Sequence, residues 1–273
     1  RTTEIDMIKL IASDLDGTLL NDNKELSPDF FEILEELDKR NILFVPSSGR
    51  SQFTIGRLFE PYNKNVCYIS DNGAYISGCG IDVVNFPMTH EQSVFIAERC
   101  LEVDCLQIVM CTKSKAYFLR VEDRYKDIIL EYYANFEYVD NPDNIREDVL
   151  KIAVFDPAGS GEHGYPEVKD YIRGDLVGVV SSQNWFDIMD RRVNKGYALS
   201  QLQKKFGILP EETMAFGDFN NDIEMLKQAE YSFAMENASQ SVKDAANFEA
   251  PDNNSFGVSK IIRDFVLEQV CLR

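Results

Sequence analysis

Two aspartates two residues apart mark the most reactive segment of the chain. Residues 13–18 read SDLDGT and follow a short apolar run. Asp14 and Asp16 can face one pocket if the chain curls, and Gly17 permits the curl because glycine adopts backbone conformations that other residues avoid. Paired carboxylates repel, so they are tolerated where a cation lies between them or where they divide nucleophilic and proton-transfer roles. An acidic turn is the competing interpretation, and the pair alone favours it.

A second acidic segment lies far along the chain, at residues 216–222 with the sequence FGDFNND. Asp218, Asn221 and Asp222 crowd one turn at the start of a predicted helix. Such an oxygen-rich corner suits a hard cation such as Mg²⁺. The alternative is that Asp218 or Asn220 simply caps the helix.

Two further segments could bind a phosphate group. Ser48, with the backbone N–H groups of Gly49 and Arg50, could cradle phosphate oxygens. Lys195 comes at the start of a predicted helix, where a cation opposes the helix dipole unless an anion is present. Taken singly, the first resembles an ordinary turn and the second a solvated surface lysine.

The elements that would position these segments alternate between strand and helix. Apolar runs at residues 7–12, 42–45 and 66–69 predict buried strands of a parallel sheet. Between the first two lies a predicted helix with Ser27 as its cap and an apolar face formed by residues 30–37. This order is typical of a parallel α/β layer. The same rhythm returns after residue 194, with strands predicted at 213–216 and 231–234 and a helix between them at 220–229.

The middle of the chain has its own set of elements. It predicts a helix at 90–103, a hairpin of residues 106–111 and 116–121, and a second helix at 123–136. Further strands follow, so this part can form its own core. We therefore predict a discontinuous core domain, residues 1–80 and 188–273, with a second domain inserted at residues 81–187.

All four chemical segments follow predicted strands of the core. In open α/β sheets the carboxyl ends of the strands form the edge at which ligands bind. Together the segments supply a nucleophile, an acid/base, a cation site and phosphate donors. These are the parts needed to transfer a phosphoryl group through an aspartyl-phosphate.

In order and spacing, these segments resemble the four motifs of the haloacid dehalogenase (HAD) superfamily, a resemblance that covers both core segments. The insertion resembles, in size and position, the C2B cap of the Cof-type subfamily. Residues 70–74 (SDNGA), before the cap, and residues 235–238 (MENA), after the fourth motif, also resemble that subfamily. The resemblance implies an α/β fold, with a Rossmann-like parallel-sheet core and an inserted α/β C2B cap. Threonine is commoner in the family at the position of Ser48, and serine retains the hydroxyl group.

The resemblance also implies the role of each residue. Asp14 would attack phosphorus, and Asp16 would protonate the leaving alkoxide and then deprotonate the attacking water. Mg²⁺ would be held by Asp14, by the backbone carbonyl of Asp16 and by Asp218, with Asp222 supporting.

The remaining motif residues would bind the phosphoryl group. The resemblance assigns this role to Ser48, Gly49 and Lys195, and places Asn221 on the phosphate or the substrate near the metal. Asn72 could approach the site, although an Asn-Gly pair is more often only a turn.

The function expected is Mg²⁺-dependent hydrolysis of a small phosphorylated metabolite, such as a sugar phosphate. A phosphomutase would use the same nucleophile, and a non-catalytic phospho-ligand-binding protein would be expected to lose Asp14 or Asp16. The sequence does not name the substrate. Cap residues that could select it, although a surface or core role is commoner for each, are Arg120, Arg124, Tyr125, His163 and Trp185.

Composition limits the partners. The chain has 273 residues, is 44% hydrophobic and carries a formal charge of −18, so it can bury a core and repels nucleic acid and anionic membranes. It has neither an apolar run of membrane-spanning length nor a secretory leader, so we expect a cytoplasmic protein. With two histidines and no CxxC pair, a zinc site is not expected. The oligomeric state, and whether residues 1–6 ahead of Met7 are native, stay open.

Overall fold

The computed structural model describes residues 8–60, 62 and 66–268. The strands are β1 (Leu10–Ser13), β2 (Leu43–Pro46), β3 (Tyr68–Ser70), β4 (Tyr75–Gly78), β5 (Ile81–Val84), β6 (Gln107–Thr112), β7 (Ala116–Arg120), β8 (Phe136–Tyr138), β9 (Val149–Phe155), β10 (Leu176–Val180), β11 (Trp185–Asp190), β12 (Thr213–Gly217), β13 (Tyr231–Met235) and β14 (Phe248–Ala250). The helices are α1 (Phe30–Lys39), α2 (Gln52–Leu58), α3 (His90–Leu101), α4 (Asp123–Leu130), α5 (Gly164–Val168), α6 (Lys195–Phe206), α7 (Ile223–Leu226), α8 (Gln240–Lys243) and α9 (Gly257–Ile261), which continues as a π-helical segment, Ile262–Leu267.

The chain forms two compact units. The first contains the described parts of residues 1–49, 55–82 and 194–273, and the second contains residues 50–54 and 83–193. The first is thus discontinuous in sequence, and most of the second is one uninterrupted stretch.

The first unit is built on a parallel sheet of order β14-β13-β12-β1-β2. At its centre, Leu10 pairs with Leu43 of β2 on one side and with Thr213 of β12 on the other. Strands from the two ends of the chain therefore lie side by side. Their carboxyl ends meet at one edge of the sheet.

Both faces of this sheet are buried. Phe44 lies on one face with the apolar side of α1, and the rings of Phe30 and Phe44 are 5.3 Å apart. On the other face, Ala12 packs with Leu199 and Leu202 of α6. Burying one such large side chain stabilises the fold by about 1.5–3 kcal/mol. Coverage of both faces explains why the core strands read as continuous apolar runs.

The second unit has a six-stranded sheet of order β10-β11-β9-β6-β7-β8. Its neighbouring strands are antiparallel except β7 and β8, which are parallel. Ile96 of α3 packs with Ile108 in the cluster on one face, and Ile129 of α4 packs with Phe118 in the cluster on the other. This unit therefore has an apolar core of its own.

Several predicted element boundaries are wrong. The helix predicted over 123–136 ends at Leu130, because Phe136 begins the strand that pairs with β7 and its ring stacks on Phe118 at 4.6 Å. Ser27 does not cap α1: the cap position is Asp29, and the Ser27 hydroxyl is bonded to Ser259 Oγ at 2.7 Å.

The remaining differences concern short elements. The helix predicted over 220–229 is a 3₁₀ turn, Asn220–Asp222, followed by the single turn of α7. The strands β4, β5 and β14 were not predicted, and the first predicted strand begins at Met7, which lies outside the described residues. Within the described ranges, none of the helices combines the length and apolarity needed to cross a bilayer.

Candidate active site

The two acidic segments meet because β1 and β12 are parallel neighbours. Ser13 pairs with Phe216, and the Asp14 amide donates a hydrogen bond to the Phe216 carbonyl at 3.0 Å. Asp14 and Asp218 therefore leave the same edge of the sheet side by side.

Three carboxylates converge at this edge. Carboxylate oxygen atoms of Asp14, Asp218 and Asp222 lie within 4.8 Å of one another. Burial raises the pKa of Asp14 well above its usual range; the other two carboxylates add to this shift and Lys195 opposes it. Burial also raises the pKa of Asp218. A proton or a cation is needed between groups this close.

Lys195 supplies one positive charge. Its Nζ, fully buried, lies 2.6 Å from Asp14 Oδ1 and 2.6 Å from Asp222 Oδ1. Burial alone would lower the pKa of this amine, but the two carboxylates outweigh burial and raise it, so the lysine is charged. It begins α6, where Asn194 Oδ1 caps the helix by accepting from Tyr197 N at 2.7 Å. One lysine can balance at most one of the three carboxylates, so a further cation or a proton is still needed.

The arrangement fits a divalent cation. Asp222 has both oxygens engaged, since Oδ2 accepts from the amides of Asp218 and Phe219 at 3.0 and 3.1 Å and Oδ1 faces Lys195. Asp14 and Asp218 are thus the residues that would donate oxygens to the cation, and Asp222 braces the turn. Hard oxygen ligands of this kind suit Mg²⁺ or a similar ion.

The Asp16–Gly17 loop closes over this cluster. Gly17 has φ +81°, and a Cβ there would lie 2.4 Å from Asp218 Oδ2, so only glycine fits. Its carbonyl accepts from Asn237 Nδ2 at 2.8 Å. Asp16 is half-buried, and its Oδ1 accepts from Lys24 Nζ at 2.7 Å.

The predicted phosphate-binding segment follows β2. Ser47 N donates to the Ser13 carbonyl at 2.8 Å, and Ser48 N donates to the Ile69 carbonyl at 2.9 Å. This bonding places the buried Ser48 and the half-buried Gly49 between the ends of β1 and β3.

Comparison with known proteins agrees with this geometry. The family model for haloacid dehalogenase-like hydrolases matches residues 11–262. The chain belongs to that family. It is 34% identical, over 93% of its own length and 95% of the relative's, to the 5-amino-6-(5-phospho-D-ribitylamino)uracil phosphatase YbjI of Escherichia coli, and 28% identical, over 95% and 96%, to YcsE of Bacillus subtilis, which carries the same activity in its name.

Solved structures show the same fold. A HAD-like hydrolase from Bacteroides thetaiotaomicron superposes with a TM-score of 0.84 at 26% identity, covering 94% of this chain and 99% of its own. SMU.1108c from Streptococcus mutans gives 0.82 at 29%, covering 95% and 99%. The predicted α/β HAD fold is confirmed. This HAD-family chain is a phosphatase that acts on small phosphorylated metabolites, and its acidic cluster is the expected site of a divalent metal.

Sequence reasoning missed several residues of the HAD site. Thr18 Oγ1 donates to Asp218 Oδ1 at 2.7 Å, and Lys24 bonds Asp16. Asn237, quoted earlier only as part of a resemblance, fixes the Gly17 carbonyl. Thr18 lies inside the first motif and was identifiable there, whereas no local pattern places Lys24 on an aspartate.

The candidate cap residues have partners within their own unit. His163 Nδ1 lies 3.0 Å from the buried Asp156, and Trp185 packs against Phe155 at a ring distance of 5.2 Å. Arg124 pairs with Glu122 and covers the ring of Tyr125 at 4.7 Å. The Arg120 guanidinium donates to the backbone carbonyls of Cys100, Leu101, Val103 and Leu106. Arg120 thus closes the end of α3, a structural role.

Proposed function

We propose that this phosphatase hydrolyses a phosphomonoester with Mg²⁺ through a covalent phosphate on Asp14. The observation that supports this proposal is the setting of Asp14: it is buried, with one oxygen bonded to Lys195 at 2.6 Å and the carboxylate of Asp218 beside it. A carboxylate held by one oxygen keeps the other for attack on phosphorus. Mg²⁺ is the proposed metal because the available donors are all oxygen atoms.

In the proposed reaction an Asp14 oxygen bonds to phosphorus as the bond from phosphorus to the ester oxygen breaks. Asp16 donates a proton to the leaving alkoxide. Asp16 then accepts a proton from a water molecule, whose oxygen attacks phosphorus and releases inorganic phosphate and the Asp14 carboxylate. Bound Mg²⁺ supplies charge neutralisation for the phosphoryl oxygens.

Binding of the phosphoryl group is assigned to Ser48, the Gly49 amide, Lys195 and Asn221. Ser48 and Gly49 lie at the end of β2, directly beside β1, which carries the nucleophile. Asn221 is exposed at the turn that also holds Asp222. These groups supply local donors that a chain of net charge −18 lacks as a whole.

The substrate proposed is a sugar or sugar-alcohol phosphate. Three of the matched relatives are named as phosphatases of 5-amino-6-(5-phospho-D-ribitylamino)uracil, which makes this compound the first to assay. We assign the second unit to the C2B cap, for which residues 81–187 were predicted. The cytoplasmic location stays a prediction.

The test separates the two aspartates of the first motif. p-Nitrophenyl phosphate has a good leaving group, so its departure depends little on a proton donor. Asp16→Asn is therefore expected to become phosphorylated and then stall, because no base activates water. Asp14→Asn is expected to form no adduct. Intact-mass spectrometry after rapid mixing measures both, and turnover in Asp16→Asn should fall about 10²–10⁴-fold.

Asp104→Asn is the matched control, since Asp104 is exposed in the second unit and should leave turnover and adduct unchanged. An adduct on Asp14→Asn would show that the nucleophile is misassigned. Wild-type adduct that is discharged faster by a sugar phosphate than by water would identify a phosphomutase instead.

A further inference from the structure

A strained turn lies beside the proposed phosphate site. Asp71 and Asn72, directly after β3, have φ values of +49° and +57°, and Gly73 follows at +101°. Two successive non-glycine residues in the left-handed region are unfavourable, and strain of this kind persists where the surrounding structure enforces it, often at functional sites. Asparagine is among the residues that tolerate this region best.

The turn contacts the two segments proposed to bind phosphate, the Ser48 loop and the start of α6. Asn72 N donates to the Ser48 carbonyl at 3.0 Å. At Gly73 the turn touches the start of α6: a Cβ there would lie 2.3 Å from the Asn194 carbonyl and 3.2 Å from Lys195 N. The turn therefore joins the Ser48 loop to the helix that carries Lys195.

The Asn72 side chain lies over the Ser48–Gly49 loop. The point that a Cβ would occupy on Gly49 is 3.2 Å from Asn72 Nδ2 and 3.3 Å from Oδ1. Asn221 Nδ2 donates to Asn72 Oδ1 at 3.0 Å. Both amide atoms therefore lie beside Gly49, and because Oδ1 accepts from Asn221, the NH₂ group is the part of the side chain that can donate to a ligand at this loop.

The charges already in the site explain why a phosphate group would need a neutral hydrogen-bond donor such as this NH₂ group. Lys195 is already shared by two carboxylates, so a phosphate dianion entering beside three aspartates needs further donors. Neutral N–H groups supply them without adding a charge that must itself be buried. Hydrogen bonds to charged groups are the stronger kind.

We propose that Asn72 is a phosphate-binding residue of this enzyme: its NH₂ group donates to the phosphoryl group held by Ser48 and Gly49, while its carbonyl oxygen fixes Asn221. The assignment rests on the proposed function for the location of the phosphoryl group. It adds a donor from outside the four motif segments.

The test uses inorganic phosphate as the probe, in the presence of Mg²⁺. Asn72→Asp keeps an oxygen for Asn221 but removes the donor, and Asn72→Gly removes the side chain while suiting the left-handed backbone. Both variants are expected to weaken phosphate binding by about ten- to hundredfold. Isothermal titration measures binding, and competitive inhibition by phosphate gives the same constant in the assay. The KM for the ester should rise with it.

Asn41→Asp is the matched control, because Asn41 is exposed and also has a left-handed φ of +57°. It should bind phosphate like the wild type. Phosphate binding by Asn72→Gly within twofold of wild type would overturn the proposal, since loss in Asn72→Asp alone would reflect only the added charge. So would an unchanged Asn72→Asp together with a weakened Asn221→Ala, which would leave Asn72 as support for Asn221.

The binding measurement does not depend on turnover. If no covalent phosphate forms on Asp14, the proposed reaction fails while the titrations still decide whether Asn72 binds phosphate. If the adduct forms normally and both Asn72 variants titrate like the wild type, only the present assignment fails.

Discussion

Replacing Asp218 by asparagine should make the metal-free protein more stable while removing its function. Asp218 lies within 4.8 Å of two other carboxylates, and its own pKa is raised by burial. Asparagine is nearly the same size as aspartate and keeps an oxygen that can accept the hydrogen bond from the Thr18 hydroxyl. The substitution therefore removes a charge and leaves the packing almost unchanged.

The size of the effect follows from the spacing. At 4.8 Å and an effective dielectric constant near 20, two like charges repel by about 3.5 kcal/mol. Attraction to Lys195, and the raised pKa values of Asp14 and Asp218, offset part of the repulsion from both neighbours. We expect a net gain of about 1–2 kcal/mol in metal-free protein, or a few degrees in Tm.

With bound metal, the wild type should become more stable than Asp218→Asn. Mg²⁺ at a hundred times its dissociation constant is expected to stabilise the wild type by about 2.7 kcal/mol, whereas Asp218→Asn lacks the proposed ligand and should gain little. Thermal melts in EDTA and in a Mg²⁺ series measure both effects, with phosphatase assays on the same samples. Asp104→Asn should follow the wild type in both conditions.

One result would refute the reasoning. If Asp218→Asn melts lower than the wild type in EDTA and rises as much in Mg²⁺, the carboxylate is a structural group and the metal lies elsewhere. Asp222→Asn provides the contrast: Asp222 accepts from two backbone amides and contacts Lys195, so its loss should lower Tm even in EDTA.

Three other substitutions test separate parts of the structure. Lys195→Met leaves two buried carboxylates without their shared cation, so the free energy of unfolding should fall by about 3–5 kcal/mol. Urea titrations measure this change, and an unchanged midpoint would contradict the buried ion pairs. Gly17→Ala places a methyl group against Asp218 at a position with a positive φ, so both the Mg²⁺ affinity and the Tm should fall. Titration measures the affinity, and a wild-type value would show that the loop adapts to the methyl group. Phe118→Ala leaves a cavity in the core of the second unit and should lower the free energy of unfolding by about 3–5 kcal/mol. The fluorescence of Trp185, the single tryptophan, follows unfolding in denaturant, and a transition at the wild-type denaturant concentration would contradict the packing.

The motif residues were predictable because their chemistry is concentrated at strand ends. Asp14 and Asp218 each follow an apolar run, and parallel pairing of β1 with β12 brings them together without any further information. The brace formed by Asp222 was also expected. What the motifs do not specify is that Lys195 bonds Asp14, the proposed nucleophile.

Features that depend on tertiary contacts were not predictable from local pattern. Lys24 has a φ of +64° and reaches Asp16, and neither feature is indicated by the neighbouring residues. The residues after Leu130 have helix-compatible spacing, but pairing of Phe136 with β7 outweighs it. Ser27 has the composition of a helix cap and instead bonds Ser259, 232 residues away in sequence.

The order of the segments along the chain has a consequence for synthesis on the ribosome. Leu10 pairs with Thr213, and Asp14 contacts Lys195, 181 residues later in the sequence, so the core sheet stays incomplete until β12 has been synthesised. Among the described residues, strands β6 to β11 form a sheet separate from the core sheet, so the inserted unit can fold before β12 has been synthesised. Once folded, that unit shortens the loop that must close, which lowers the entropic cost of joining β1 to β12. A nascent chain released before Lys195 would therefore carry Asp14, the proposed nucleophile, without Lys195, Asp218 and Asp222, and is expected to be inert.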